Sequence, residues 1–384
     1  MRLARTVEVF EASDGDVYVL RGGADADFTL DAPDAAARRL LRRLGDGGGS
    51  VEALVDDLRG AGHERSRAEV EDALEQLDAL GLLERAGDRD ADVLDAEALE
   101  RFDRQLAYFA HVAPGEASRM QARLADAHVA VIGVGGLGTW AASALACAGV
   151  GALTLVDDDR VALSNLNRQV LYRRADVGRA KVEVAAAALT AFNPGCDVRP
   201  LARRIAGPED VTAVAAGADL IVDTADWPPY DIGRWINRGA LALGVPWIAA
   251  AQFPPYVRIG PLYVPGETAC LECQERAGRR AYPLYDELAD FRRGRESYAA
   301  TLGPASGLVG AAIGMEVLHR LSGAAVPATA GAAILLDLRT LATRREPVER
   351  DPGCPVCGDA AASRGGRTSR PASVLREEHR GARI

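Results

Sequence analysis

The stretch HVAVIGVGGLGTWAASALACAGVGALTLVDDDRVALSNLNRQ, residues 128–169, decides the fold. It opens on an apolar strand-like run, turns at Gly133, Gly135, Gly136 and Gly138, and enters a small-residue helix before a second apolar run, ALTLV. Glycines where a strand turns into a helix let backbone N–H groups and the positive helix end approach phosphate without Cβ interference. Many doubly wound proteins carry such a turn, most of them for a dinucleotide, so it leaves the ligand open. Asp157 closes the second run, where a carboxylate takes a ribose hydroxyl pair, and this suits NAD and ATP equally. The residues beyond it do not suit NAD. Asn165, Arg168 and Gln169, followed by Lys181, add two cations and two amides. A dinucleotide's pyrophosphate is neutralised mainly by backbone groups and is not broken. A triphosphate that sheds pyrophosphate calls for fixed positive groups that stabilise the transition state more than the ground state.

Outward from this stretch the chain alternates strand-like and helix-like segments: a helix around KVEVAAAALTAF, then ADLIVDTAD, then VPWIAAA. The alternation predicts an α/β fold with a doubly wound, mainly parallel, Rossmann-like sheet. A chain of 384 residues, 48% hydrophobic, has room for a second, smaller domain. The net charge of −10 argues against general nucleic-acid binding, since phosphate backbones reward clustered positive charge. No apolar run approaches the roughly 20 residues of a membrane helix, and MRLARTVEVFEASDG lacks a signal-peptide core, so a cytoplasmic protein with no membrane partner is expected.

Residues 1–88 carry a different pattern. TVEVFEAS and VYVLRG alternate around DGD as a hairpin, DFTL offers a third strand, and three short helices follow. The last helix has Ser66 and Glu69 spaced as a capping box, with Val70, Ala73, Leu74, Leu77 and Leu80 forming an apolar face. This predicts a winged-helix-like α+β domain. Its last helix carries Glu69, Glu71, Asp72, Glu75 and Asp78, which phosphates would repel, so DNA reading is not expected. The order of elements resembles the peptide-recognition domains of enzymes that modify ribosomally made peptides, related to the pyrroloquinoline quinone peptide chaperone. That resemblance implies a leader peptide added as an extra strand at the hairpin edge; dimerisation is the other use of such an edge. Residues 89–100 read as a linker, and 359–384, rich in Arg, Ser, Gly and Ala, as a disordered tail.

Four of the six cysteines form two C-x-x-C pairs, Cys270 with Cys273 and Cys354 with Cys357. Each pair lets a tight turn aim two sulfurs at one ion, which predicts a structural Zn(II) with four thiolates and no open position. Cys147 and Cys196 stand alone and read as packing or loop residues, and His111, His128 and His319, beside apolar segments, read as core or surface residues.

From about residue 101 to 358, the pieces RFDRQ, GVGGLG, LVDDDRVALSNLNRQ, GRAKVE, DTAD, the two cysteine pairs and GPASGLVGAAIGMEVLHRLSG resemble the ubiquitin-activating-enzyme superfamily in its bacterial form. These are the ThiF/MoeB/HesA-type adenylyltransferases, which act on molybdopterin and thiamine sulfur carriers or on microcin C. The resemblance covers about two thirds of the chain. It implies that Asp157 holds the ATP ribose, that Asn165, Arg168 and Lys181 grip the phosphates with Gln169 beside them, and that DTAD supplies Asp223 to the nucleotide site and Asp226 to Mg(II). Arg104 matches an arginine that reaches into the neighbouring subunit's site, which implies a homodimer. The substrate is then a precursor peptide or a sulfur-carrier protein, and its carboxylate, already ionised at neutral pH, needs no general base. A third reading keeps the fold without catalysis, as a peptide-recruiting partner of another enzyme. Two departures stand out: Trp227 occupies the place of the usual Asn after Asp226, and residues 274–300 lack the cysteine of thioester-forming relatives.

Overall fold

The computed structural model describes residues 1–13, 15–20, 28–85, 93–293, 295 and 300–358. The expected tail at 359–384 and part of the expected linker lie outside the described residues.

The N-terminal region holds β1 (Arg2–Leu3), β2 (Glu8–Glu11), β3 (Val17–Leu20), β4 (Phe28–Leu30), α1 (Ala35–Gly45), α2 (Val51–Gly60), α3 (Arg67–Ala79) and β5 (Leu83–Glu84). β2, β3 and β4 form an antiparallel three-stranded sheet, and β1 pairs with β5. Each helix begins on a side-chain cap: Asp34, Ser50 and Ser66 accept N–H bonds from Ala37, Ala53 and Glu69. At α3 the reciprocal bond from the Ser66 N–H to Glu69 completes the capping box. Val70 and Leu74 pack into a core with Leu44, Leu54 and Leu58, whereas Leu80 stands 42% exposed. The apolar stripe is one turn shorter than its spacing predicts, because α3 ends at Ala79 and Gly81 turns the chain away at φ +67°.

The remainder is a single α/β unit. Three helices, α4 (Ala96–Arg101), α5 (Asp103–Val112) and α6 (Ala117–Asp126), lead into β6 (His128–Ile132), α7 (Gly136–Cys147), β7 (Ala152–Val156), α8 (Lys181–Phe192) and β8 (Asp197–Leu201). Next come α9 (Pro208–Val214), β9 (Leu220–Asp223), α10 (Asp231–Leu243), β10 (Trp247–Phe253) and β11 (Tyr256–Tyr263). The chain continues through α11 (Leu271–Ala281), α12 (Tyr285–Arg292), α13 (Gly303–Ser322), β12 (Ala332–Asp337) and β13 (Thr343–Pro347). The eight-stranded sheet runs β13-β12-β11-β10-β9-β6-β7-β8. From β8 to β10 the pairs are parallel, as the βα alternation predicts; β11 to β13 extend the sheet antiparallel.

Both faces are covered. Val129, Val131, Leu155 and Val222 face α7 and α13, while Ala130, Ile132, Ile221 and Trp247 face α9 and α10. α13 lies close on α7 through glycines: a Cβ at Gly310 would sit 2.4 Å from Trp140 Cβ, and one at Gly314 2.7 Å from Ala144 Cβ. This contact fixes the start of α13 over the glycine turn, which matters for the site.

Candidate active site

The turn after β6 is shaped for a close approach. Gly133 has φ +91°, and a Cβ there would lie 2.8 Å from the Ala225 nitrogen of the loop after β9. Gly138 packs still closer, its would-be Cβ 2.0 Å from the Gly133 carbonyl oxygen. Gly135 and Gly136 open onto other candidates: a Cβ at Gly135 would be 3.9 Å from Gln169 Nε2, and one at Gly136 3.0 Å from Ser306 Oγ and 3.4 Å from Arg168 Cδ. Three parts of the sequence, around residues 135, 168 and 306, thus meet at one spot. Trp140 fixes it from beneath, its indole N–H donating to the Arg168 carbonyl at 3.1 Å.

Asp157 follows β7 and accepts N–H bonds from Val134 and Asp159, each 2.8 Å. Burial pushes its carboxyl upward against the opposing pull of Lys181 and these two N–H groups. Tyr172 donates to the Val134 carbonyl at 2.7 Å, and burial pushes its phenol up, so it stays protonated and bolts the turn in place. Asn165 accepts from the Ala162 N–H at 2.9 Å and so shapes its own loop. Arg168 rests on neutral acceptors, the Ser164 carbonyl at 3.0 Å and Asn167 Oδ1 at 3.1 Å; among the described residues no carboxylate reaches ion-pairing distance. Gln169 is buried and its Oε1 has no hydrogen-bond partner. Lys181 starts α8 with its side chain 7% exposed, and its ammonium meets Asp159 at 2.7 Å. Asp159 is itself 67% exposed, so the pair is a half-solvated one that an arriving phosphate can replace.

Across the turn, Asp223 ends β9 and accepts from the Ala225 N–H at 3.2 Å. Burial pushes its carboxyl up to about 7; Ala225 and the positive charge of Arg258 oppose this, and the negative charge of Asp226 adds to it. Asp226 and Trp227 lie exposed on the following loop. Gln252 donates to Ser306 Oγ at 3.1 Å and accepts from Thr301, tying β10 to the start of α13. The sequence reading brings together the glycines, Asp157, Asn165, Arg168, Gln169, Lys181 and the DTAD carboxylates, and the structure gathers them at the C-terminal edge of the parallel strands. It missed Ser306, Gln252 and Arg258. For Arg258 a signal was present: a guanidinium in the run YVRIGPLYV, where period-two alternation puts it in a sheet covered on both faces. Arg104 stands apart, exposed on α5, with no carboxylate partner among the described residues.

The four paired cysteines converge. Sγ of Cys270 lies 4.0 Å from Cys273 and 3.7 Å from Cys354, and Cys273 lies 3.4 Å from Cys357. Tetrahedral ligation at about 2.3 Å per Zn–S bond requires sulfurs roughly 3.8 Å apart, so the donor set fits zinc. Backbone N–H groups of Asp351 and Val356 donate to Cys273 and Cys354, as thiolates require. Cys147 and Cys196 are separate from this cluster; burial pushes Cys196 up to about 11. His128 bonds Gly217 and Thr154 at 3.1 and 2.8 Å, a strand-locking role.

The glycine turn, the ribose-side carboxylate and the cations beyond it define a nucleotide-dependent group-transfer fold, and the ThiF family matches residues 102–356. The chain belongs to that family, as an ATP-dependent adenylyltransferase. It is 36% identical over 242 residues to the sulfur carrier protein ThiS adenylyltransferase of Escherichia coli K12, covering 63% of this chain and 90% of that one. It is 33% identical over 269 residues to the molybdopterin-synthase adenylyltransferase of the same strain, covering 70% and 99%. Among solved structures, E. coli MccB with ATP superposes with TM-score 0.74 at 24% identity over 93% of this chain and 99% of that one. PaaA does so with TM-score 0.71 at 25% identity over 89% and 98%. No helix among the described residues is long and apolar enough to cross a membrane.

Proposed function

We propose that this adenylyltransferase activates a carboxylate of a ribosomally made precursor peptide, whose leader is recruited by the N-terminal region. The observation that carries the reading is one of extent. The molybdopterin-synthase adenylyltransferase is covered over 99% of its length by 70% of this chain, so the N-terminal α+β region has no counterpart in it. MccB, whose crystal structures include complexes with MccA, matches 93% of this chain, a span that takes in much of that region. β2 and β4 are the edge strands of the N-terminal sheet, the kind of element to which an extended peptide adds as a further strand.

In the reaction the peptide carboxylate oxygen attacks the α-phosphorus of ATP; an O–P bond forms, the α–β bridge bond breaks, and pyrophosphate leaves with the electron pair. The chain's work is positioning and charge neutralisation. Asp157 orients the ribose. The turn at Gly133, Gly135 and Gly136 admits the phosphates, the unpaired Gln169 Oε1 accepts from a hydroxyl or amino group of the nucleotide, and Arg168 with Lys181 follows charge onto the leaving pyrophosphate. Asp226, exposed on the loop after β9, offers the hard oxygen donor suited to Mg(II), which when bound would neutralise phosphate charge. The four-cysteine cluster holds structural zinc, and Arg104 completes the site of a partner subunit in a homodimer.

Pyrophosphate exchange tests the reading. Exchange stimulated by a leader-bearing peptide encoded beside this gene supports it. Exchange stimulated only by a carrier protein ending in Gly-Gly favours the second reading, to which the 36% identity with the ThiS adenylyltransferase points.

A further inference from the structure

Arg258 lies on β11 in register with Ala251 of β10, and Asp223 lies on β9 in register with Ala249 of β10. Positions 249 and 251 of a strand share a face, so the guanidinium and the carboxyl flank β10 across two methyl groups. Val257 and Ile259 point the other way, into the core under α13. Arg258 Nε is buried without a hydrogen-bond partner, and no carboxylate among the described residues lies within ion-pairing distance of the group. A buried cationic N–H without an acceptor is costly, so the arrangement is one that an anion completes.

The nucleotide has its own cation on the far side, Lys181 beyond β7. Its turn follows β6 and its ribose carboxylate follows β7, whereas β11 stands three strands from β6. At about 4.8 Å per strand that is roughly 14 Å, longer than a triphosphate needs. An in-line displacement at the α-phosphorus places the nucleophile opposite the leaving pyrophosphate, which Lys181, paired with Asp159 just beyond β7, draws toward that strand. The incoming oxygen therefore arrives from the β10–β11 side.

We infer that Arg258 receives the carboxylate of the substrate's terminal residue, and that Asp223 accepts a hydrogen bond from that residue's amide N–H. This rests on the carboxylate-activating reading above and names the residues that select for it. The alanines at 249 and 251 leave the space in which the terminal residue lies. Arg258 is thus a specificity-determining group for a free C-terminal carboxylate, and an amidated terminus is rejected because it leaves the guanidinium unneutralised.

The test uses the full chain, a non-hydrolysable ATP analogue, and N-acetyl amino acids as carboxylate probes with their amides as controls. Binding is followed by calorimetry for wild type, Arg258→Gln and Arg258→Lys. In wild type saturated with the analogue, at least one N-acetyl amino acid binds and its amide does not. Arg258→Gln weakens the carboxylate probe about tenfold or more, the size expected for a truncated charged hydrogen bond, and leaves analogue affinity within about twofold. Arg258→Lys, which keeps the charge, recovers part of the loss. Equal weakening of probe and analogue assigns Arg258 to phosphate and overturns the inference. So does unchanged probe binding in Arg258→Gln, or wild type that binds no carboxylate probe. Failure of wild type to bind the analogue instead overturns the activation reading beneath it, and the inference with it.

Discussion

Replacing Asp223 with Asn makes the ligand-free protein more stable at neutral pH and leaves it unchanged in acid. The carboxyl is buried at the end of β9, and burial raises it from an ordinary 3.8 to about 7, with Arg258 and the Ala225 N–H opposing and Asp226 adding to the rise. A group whose acid form is favoured in the folded state binds a proton that the unfolded chain has already released. Stability therefore falls as pH climbs from about 4 to about 7, and is level above. At about 1.36 kcal/mol per tenfold change in acidity, the move corresponds to a ceiling of roughly 4 kcal/mol. Asparagine keeps an oxygen for Ala225 and removes the ionisation. Urea unfolding of both proteins at pH 5, 6 and 7, with all other titrations common to the pair, yields the difference directly. The gap in favour of the variant widens by roughly 1.4 kcal/mol per pH unit across this window. Parallel pH profiles, or a gap that narrows with rising pH, refute the assignment of Asp223 as a carboxyl held protonated by burial.

Arg168→Ala and Lys181→Ala each lower pyrophosphate exchange by about 10²-fold, the loss typical of one preorganised charge donor, with peptide affinity measured by fluorescence anisotropy unchanged. Cys354→Ser abolishes stoichiometric zinc in metal analysis. If the site is worth about 3 kcal/mol, the variant also lowers the calorimetric Tm by roughly 6–12 °C. Arg104→Ala alone is as impaired as Lys181→Ala, yet mixing the two inactive proteins restores part of the activity, because one site of the mixed dimer has both intact groups; absence of recovery removes the cross-subunit role.

Where local chemistry decides structure, the sequence is readable, and α3 shows why. A Ser and a Glu three apart satisfy each other's end groups whatever surrounds them, so the capping box of Ser66 and Glu69 is legible from spacing alone. The parallel core strands are legible for the same reason, as uninterrupted apolar runs between helical periods. β11 to β13 are not legible in this way. They pair antiparallel at the sheet edge, where TRREP in β13 carries no burial signal, and their register is set by partners far along the chain. The site divides likewise. Gly133 and Asp157 sit at strand ends and announce themselves, whereas Ser306 joins them only because Gly310 and Gly314 bring α13 onto α7, a tertiary contact with no local signature.

Charge balance alone would not predict anion binding in a chain of net charge −10, but pairing state does. Most arginines of the N-terminal region are engaged with carboxylates, as Arg39 is with Asp57 and Arg67 with Glu71; such exposed pairs contribute little and hold no ligand. The buried side-chain polar atoms without a partner, among the described residues, are Gln169 Oε1, Arg258 Nε and His319 Nε2. Two of these three belong to the candidate site, Gln169 beside the glycine turn and Arg258 on β11 beyond β10. Native folds satisfy nearly all such atoms, and those left over mark where something else supplies the bond. A donor and an acceptor left open there fit a site that holds two molecules at once, a nucleotide that offers Gln169 a hydroxyl or amino donor and an anion that Arg258 meets.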